Sequence, residues 1–442
     1  MKSDLPKVLH SVGGRPLISH ALKTARALTD QPPVLIVGHG AEAVRETVGG
    51  AATYVTQAEQ LGTGHAVLQA REALQEADMV LVSYADMPLL TVETLQRLVD
   101  RQRQNRGPIT MLTLMRDNPR GFGRVVRAED GAITAIVEEA VATPAELAIR
   151  ELNAGVYCFD GPWLWEHVDQ IPLSLPKEEY YLTDLVGMAV DQGRNVEGVV
   201  ADEADEALGI NTRVDLAAAE RVLRRRINER WMRAGVTMVD PATTYIDSEV
   251  VIGRDTILQP DTHLRGETRV GERCTIGPNT VIEDSTVGDG CVAVASVLEQ
   301  AVMEDGSDIG PFAHLRKGAR LCEGAHVGNF GELKQSTLGP GAKMGHFSYL
   351  GDAEVGAGAN VGAGTITCNY DGERKHRTVI EEGAFIGSDT MLVAPVRVGK
   401  GAKTGAGSVI TRDVPPGALA YGVPARVHDE GEGDEEHDGS DA

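Results

Sequence analysis

The sequence predicts an α/β domain built on a mostly parallel sheet, followed by a parallel β-helix made of six-residue repeats. Three observations carry this. Ile252, Leu258, Leu264, Val270, Ile276 and Ile282 stand six apart, as do Ile309, Leu315, Leu321, Val327 and Leu333, and again Ile380, Ile386, Leu392, Val398 and Ile410 with Thr404 in one slot. A period of six fits neither a helix nor the alternation of a strand. It fits a flat-sided coil in which each hexad is one side and its aliphatic residue points inward. Before the repeats, residues 1 to 212 alternate short apolar runs with helical patterns, which implies a sheet covered by helices. The length, 442 residues, is too great for one core.

In chain order, the apolar runs from Val34, Met79 and Ile109 read as buried strands, and Val92 to Asn105 reads as a helix. Residues 213 to 234 read as a stiff linker helix. Leu216, Leu223, Ile227 and Trp231 form one apolar stripe, Glu220 precedes Arg224 by four, and Gly235 follows the end. The expected domains are therefore 1–212, the linker 213–234, the β-helix 235–427 and a tail 428–442. The tail carries eight acids and no Lys or Arg, the composition of a disordered, solvating segment. Within the β-helix the register fails between Val361 and Val379, where the slots hold Thr367 and Glu373. The polar stretch TITCNYDGERKHR must leave the coil as a loop. A loop on a rigid scaffold is either surface ornament or a home for binding residues.

Composition excludes several function classes. Lys plus Arg is 42 against 65 Asp plus Glu, a net charge of −23, which argues against nucleic acid or an anionic membrane as partner. Aromatics are 4 %, as suits an interior of Val, Ile, Leu and Ala. The five cysteines form no CxxC pair, so neither a zinc site nor a disulfide framework is expected. Without a signal peptide or a long apolar run, a reducing cytoplasmic setting is expected.

Three segments of the first half carry chemistry: SDLPKVLH with Lys7, QAEQLGTGHA over 57–66, and SYADMPLL over 83–90. An Asp just beyond an apolar strand can hold a metal, because ligands gather past the carboxyl ends of strands in open α/β sheets; an Asp there also caps helices. In order and wording these segments resemble the sugar nucleotidyltransferases, specifically the bacterial family that joins an N-acetylglucosamine-1-phosphate uridylyltransferase to a glucosamine-1-phosphate N-acetyltransferase. The resemblance runs to about Arg426 and implies a left-handed β-helix. It implies that Lys7 meets the phosphates and that Gln57, Gly62 and Thr63 read uracil. Tyr84, Ala85 and Asp86 would sit at the nucleotide, and Gly123, Glu138 and Asn153 at the amino sugar. Asp86 and Asn211 would share a magnesium ion. Two positions depart from the family, Ala85 where Gly is usual and Ala154 where Thr is usual. The family also opens on a strand and a Gly-rich phosphate loop, and Met1-Lys2-Ser3 stands where that loop ends. The expectation is an upstream coding region for the loop. Uridylyl transfer by the chain as written is expected to be very low.

In the second half, GNFGELK, GHFSYLGDAEV, TCNYDG and FIGSDTMLVAPV stand out. Acetyl transfer to an amine needs a base, donors for an oxyanion and cations for a phosphate. His346 is the natural base because imidazole titrates near neutrality, although a lone histidine on such a flank is commonly just solvated. The family resemblance implies that His346 is the base and that Arg316, Lys334, Tyr349 and Asn360 bind glucosamine-1-phosphate. It implies that Ala363, Asn369, Tyr370, Ser388 and Ala406 line acetyl-CoA, with Lys375 just beyond Tyr370. The family's C-terminal CoA-binding Arg has no aligned partner. Arg426, in Val-Pro-Ala-Arg, takes its place by similarity to other hexapeptide acyltransferases. The family packs three prisms together, so a homotrimer is implied.

The main reading is thus a bifunctional enzyme using acetyl-CoA, UTP and Mg2+. The second is an acetyltransferase whose front half is inactive. A scaffold protein would leave His346, Tyr349 and Asn369 without a reason to occur together. A transferase for another sugar, with a purely structural β-helix, meets the same objection, and Gln57, Glu138 and Asn153 favour an N-acetylated amino sugar.

Overall fold

A computed structural model describes residues 1–117, 121–174 and 178–428. The chain divides into two compact units, Met1–Leu223 and Arg224–Ala442. One helix, Arg213–Arg233, contains the division.

The first unit is built on six strands. Val196–Val200, Ile109–Met115, Glu151–Asp160, Arg124–Arg127 and Ile133–Val137 lie in that order, and Met79–Val82 also pairs with Glu151–Asp160. Side chains alternate between its faces. Met111, Tyr157 and Phe159 pack on one face with Leu164, Leu185 and Val186 of two helices. Leu112, Val156 and Cys158 pack on the other with Leu95 and Leu98 of the helix Val92–Gln104. Thr91 caps that helix by accepting the Thr94 amide. A separate parallel pair joins Val34–Val37 to Thr53–Thr56.

The expected α/β layering is present, but the main sheet is mixed rather than mostly parallel. Val196–Val200 and Ile109–Met115 run parallel, whereas Glu151–Asp160 runs antiparallel to all its neighbours. A strand buried on both faces reads as an apolar run whichever way it points, so the sequence carries no signal of its direction.

The second unit is a left-handed parallel β-helix with three faces of twelve, ten and nine strands. Register stacks Leu264, Ile282, Leu298, Leu315, Leu333 and Leu350 on successive coils. Each has 0 % exposure. Inward Thr and Ser at the corners satisfy backbone carbonyls, as where Thr262 donates to Gln259 O at 2.7 Å.

Val355 pairs with Ile380, 25 residues on, where Leu338 pairs with Val355 only 17 on. The extra length leaves the coil later than TITCNYDGERKHR suggested. Thr367 stays inside at 1 % exposure. Its hydroxyl accepts from Gly351 N at 2.7 Å and lies 3.0 Å from Gly351 O. Only residues 369–377 protrude, between the strands Ile366–Cys368 and Thr378–Ile380. At the other end His428 closes the strand Ala425–His428 and stacks on Tyr421. Past it, the expected tail lies outside the described residues. Among the described residues no helix is long and apolar enough to cross a membrane.

Leu315→Ala should cost about 2–5 kcal/mol, because a ladder of fully buried aliphatics cannot collapse around one gap. Equilibrium chemical denaturation followed on the β-helix unit checks this.

Candidate functional site

The first unit gathers its singled-out residues into one connected region. Met87 N bonds Tyr84 O and Ile210 N bonds Asp86 O, so the turn after Met79–Val82 is tied to the segment holding Asn211. Lys7 Nζ lies 2.5 Å from Asp86 Oδ2 and 3.0 Å from Asn211 Oδ1. Two oxygens converging on one cationic nitrogen also suit a hard divalent ion completed by water and phosphate oxygens.

Beside it, Gln57 Nε2 donates to Gly62 O at 3.1 Å. Gly62 needs its freedom: φ is +98°, and a Cβ there would lie 2.6 Å from Tyr180 O. The Thr63 hydroxyl accepts from Leu182 N at 3.0 Å and bonds Tyr84. Burial, and then the Asp86 charge, push the Tyr84 phenol above its ordinary range. Tyr84 lies against Gly155, where a Cβ would meet its ring at 2.9 Å. Asn153 N donates to Gly123 O at 2.9 Å, and the Asn153 amide meets Tyr157 Oη at 2.8 Å. Glu138 reaches within 3.3 Å of where a Gly123 Cβ would be. Ala85 packs with Leu9, Ile18 and Val37.

In the second unit, one corner of the prism collects the catalytic candidates. Val327, Met344, Val361 and Ile386 stack in register, and Thr404 stacks beneath Ala420. Two residues after each inward position the chain turns. The corner column is therefore Asn329, His346, Ala363, Ser388, Ala406 and Gly422. The turn before Asn329 needs its glycine, since a Cβ on Gly328 would lie 1.9 Å from Gly345 O. His346 is exposed, and its Nδ1 lies 3.3 Å from Asn329 Oδ1. That contact favours the tautomer with Nδ1 protonated and Nε2 bare. Gly422 opens the terminal hairpin, where Arg426 pairs with Tyr421 in register.

Around the corner, Arg316 and Lys334 follow each other on successive coils, with Glu332 and Tyr349 in the next column. Arg316 bonds Glu332 at 2.9 Å. The Lys375 charge, and then that of Arg316, hold the Lys334 ammonium below its ordinary range. Arg316, Lys334 and Lys375 thus gather positive charge in one place, which suits an anion. The protruding loop supplies Lys375. Hydrogen bonds from the Arg374 amide, His376 and the Glu373 amide hold the Asp371 carboxyl well below the usual carboxylate range. Tyr370 bridges to Lys375 at the loop base. Asn369 is buried to 8 % exposure. Asn360 does not join this group. It lies on the adjoining face, paired with Lys343 and Phe385.

Asn329, Tyr157 and the Tyr180–Leu182 segment were not singled out by the sequence. A corner period of 17 in the second unit, from Asn329 to His346, was the available signal for the first. The other two touch the site only through long-range folding.

Two family models match the chain: a MobA-like NTP transferase domain over residues 1–135, and a bacterial transferase hexapeptide over 249–284 and 377–412. The "Bifunctional protein GlmU" of Heliobacterium modesticaldum is 50 % identical over 424 residues, 95 % of this chain and 92 % of that protein. The protein of the same name from an Exiguobacterium species is 46 % identical, covering 98 % and 96 %. That of Streptococcus thermophilus is 44 % identical, covering 98 % and 94 %. These relatives correct the second reading of the sequence. Identity of this order spans both units of proteins named bifunctional, so an inactive front half is not supported.

Lys334 should titrate below an ordinary lysine in an NMR pH titration, and Lys375→Met should move it back up. An unmoved Lys334 in that variant would contradict the anion site.

Proposed function

The chain belongs to the family of the bifunctional protein GlmU, and from that premise we propose that it acetylates glucosamine-1-phosphate with acetyl-CoA and then joins the product to UTP. The observation that carries the acetyl-transfer half is the single corner column from His346 to Gly422. At about 4.8 Å per coil its four steps span roughly 19 Å, a fit for a long, thin thioester donor lying along the prism.

His346 Nε2 takes the proton from the sugar amine as the amine attacks the thioester carbonyl, and the CoA thiolate leaves. Arg316 and Lys334 hold the sugar phosphate, with Lys375 adding charge. Tyr349 and Asn360 hold the sugar. Ala363, Asn369, Tyr370, Ser388 and Ala406 line the acetyl-CoA, and Arg426 meets its phosphates. The hexapeptide repeats support a homotrimer, in which Asn360 on the adjoining face would serve a site shared between neighbouring prisms.

In the other half, a phosphate oxygen of N-acetylglucosamine-1-phosphate attacks the α-phosphorus of UTP in line, and pyrophosphate leaves. Lys7 offsets the developing charge. Gln57, Gly62 and Thr63 hold uracil; Tyr84, Ala85 and Asp86 flank the nucleotide; Gly123, Glu138 and Asn153 hold the amino sugar. Asp86 and Asn211 would hold Mg2+, which supplies charge neutralisation on the phosphates when bound. The substrates are small and soluble, which agrees with a cytoplasmic enzyme needing neither nucleic acid nor membrane.

Two assays test this. Free CoA should appear with glucosamine-1-phosphate and acetyl-CoA, and pyrophosphate with UTP, N-acetylglucosamine-1-phosphate and Mg2+. His346→Ala should lower the first rate by about 10²–10⁴-fold and leave the second alone. Asp86→Ala should do the reverse. A His346→Ala protein with full acetyl transfer would remove His346 from its role.

A further inference from the structure

Asp352 stands where the acceptor and donor sides of the prism meet, and the mechanism above leaves it without a part. Its backbone is fixed at both ends: its amide donates to Lys334 O at 3.0 Å and its carbonyl accepts from Thr378 N at 3.2 Å. Its φ is +50°, so the side chain leaves the coil from a left-handed corner. The carboxylate Oδ2 then lies 2.5 Å from Asn369 Nδ2. Asn369 is the neck of the protruding loop. Its carbonyl accepts from His376 N at 2.7 Å, so anchoring its side chain anchors the loop that carries Tyr370 and Lys375.

The residue before Asp352 shapes the same joint. A Cβ on Gly351 would lie 2.4 Å from Tyr349 Oη and 2.5 Å from Asn369 Nδ2. The Tyr349 hydroxyl and the Asn369 amide therefore converge over the space that glycine leaves. The Asp352 charge also reaches Lys334, opposing the cations beside it.

We infer that Asp352 is a positioning residue for acetyl transfer, holding the Asn369 amide for the acyl donor; this rests on the acetyl-transfer reading. A carboxylate only accepts, so Asn369 must turn its NH2 toward Asp352 and its oxygen away. One N–H is spent on Asp352, and the second is left for the thioester. Without the carboxylate the amide can flip, and the loop loses its tie to the coil beneath.

Asp352→Gly removes the carboxylate while tolerating the positive φ, and Asp352→Asn keeps both an acceptor oxygen and a residue at ease in that conformation. In Asp352→Gly, kcat for acetyl transfer should fall about tenfold, the scale of one charge-assisted hydrogen bond. KM for glucosamine-1-phosphate should change by less than about twofold. Asp352→Asn should retain activity within about threefold of the parent. In an Asn369→Ala background, Asp352→Gly should add no further loss, because both act through one bond. An unchanged kcat in Asp352→Gly, or losses that multiply in the double variant, would overturn the inference. If the unaltered protein transfers no acetyl group, the acetyl-transfer reading fails by itself. The crystal structure of Asp352→Gly then decides the positioning: a displaced Asn369 amide upholds it and an unmoved one overturns it.

Discussion

Everything in the second unit depends on the vertical backbone hydrogen bonding between coils. Each coil must place its aliphatic residue directly over the one beneath, as Leu315 does over Leu298 and under Leu333. Once that is fixed, every other position in a coil has a fixed azimuth. A residue two places after an inward aliphatic can only be at a corner. His346, Ala363, Ser388 and Ala406 are far apart in sequence, and the stacking rule alone lines them up. The interior contributes no chemistry, but it is the reason the chemistry is aligned.

The first unit solves its placement problem differently, through close backbone contacts that only glycine permits. Gly62 lets its turn lie on the Tyr180 backbone, and Gly155 leaves room for the Tyr84 ring. These contacts bring Thr63, Tyr84 and Asn153 together from three separate segments. Lys7 then joins Asp86 and Asn211, the latter 204 residues away from it in sequence. The charged end of this region is therefore assembled by side chains, while the end at Gly123 and Asn153 is joined through backbone.

Much of this was legible in the sequence, and for a physical reason. A strict period of six leaves one fold, and the inward slots it named, from Ile252 to Ile410, are buried. Local signals also worked: the helix that starts at Val92 and the apolar stripe of the long helix depend only on near neighbours. What was not legible depends on direction or on distant partners. The antiparallel course of Glu151–Asp160 leaves no trace in composition. Thr367 looked like part of the protruding loop because it is polar, yet its hydroxyl is satisfied by Gly351 inside the coil. Asn360 was grouped with Arg316, Lys334 and Tyr349, and only the register shows that a corner separates them. Asp352 and Asn329 act through neighbours one coil away, a relation that no local reading of the chain contains.

The corner column has one more consequence. Its rungs are set by the spacing of peptide groups, so the prism is a ruler whose graduations cannot be stretched. A substitution alters what is written at one mark, but only the gain or loss of a whole coil moves a mark. Removing one turn between His346 and Gly422 would leave a sound prism with its terminal hairpin about 5 Å too near the histidine. Such a molecule would fold and stack as before, yet measure the wrong length of ligand. In this architecture, reach is quantised.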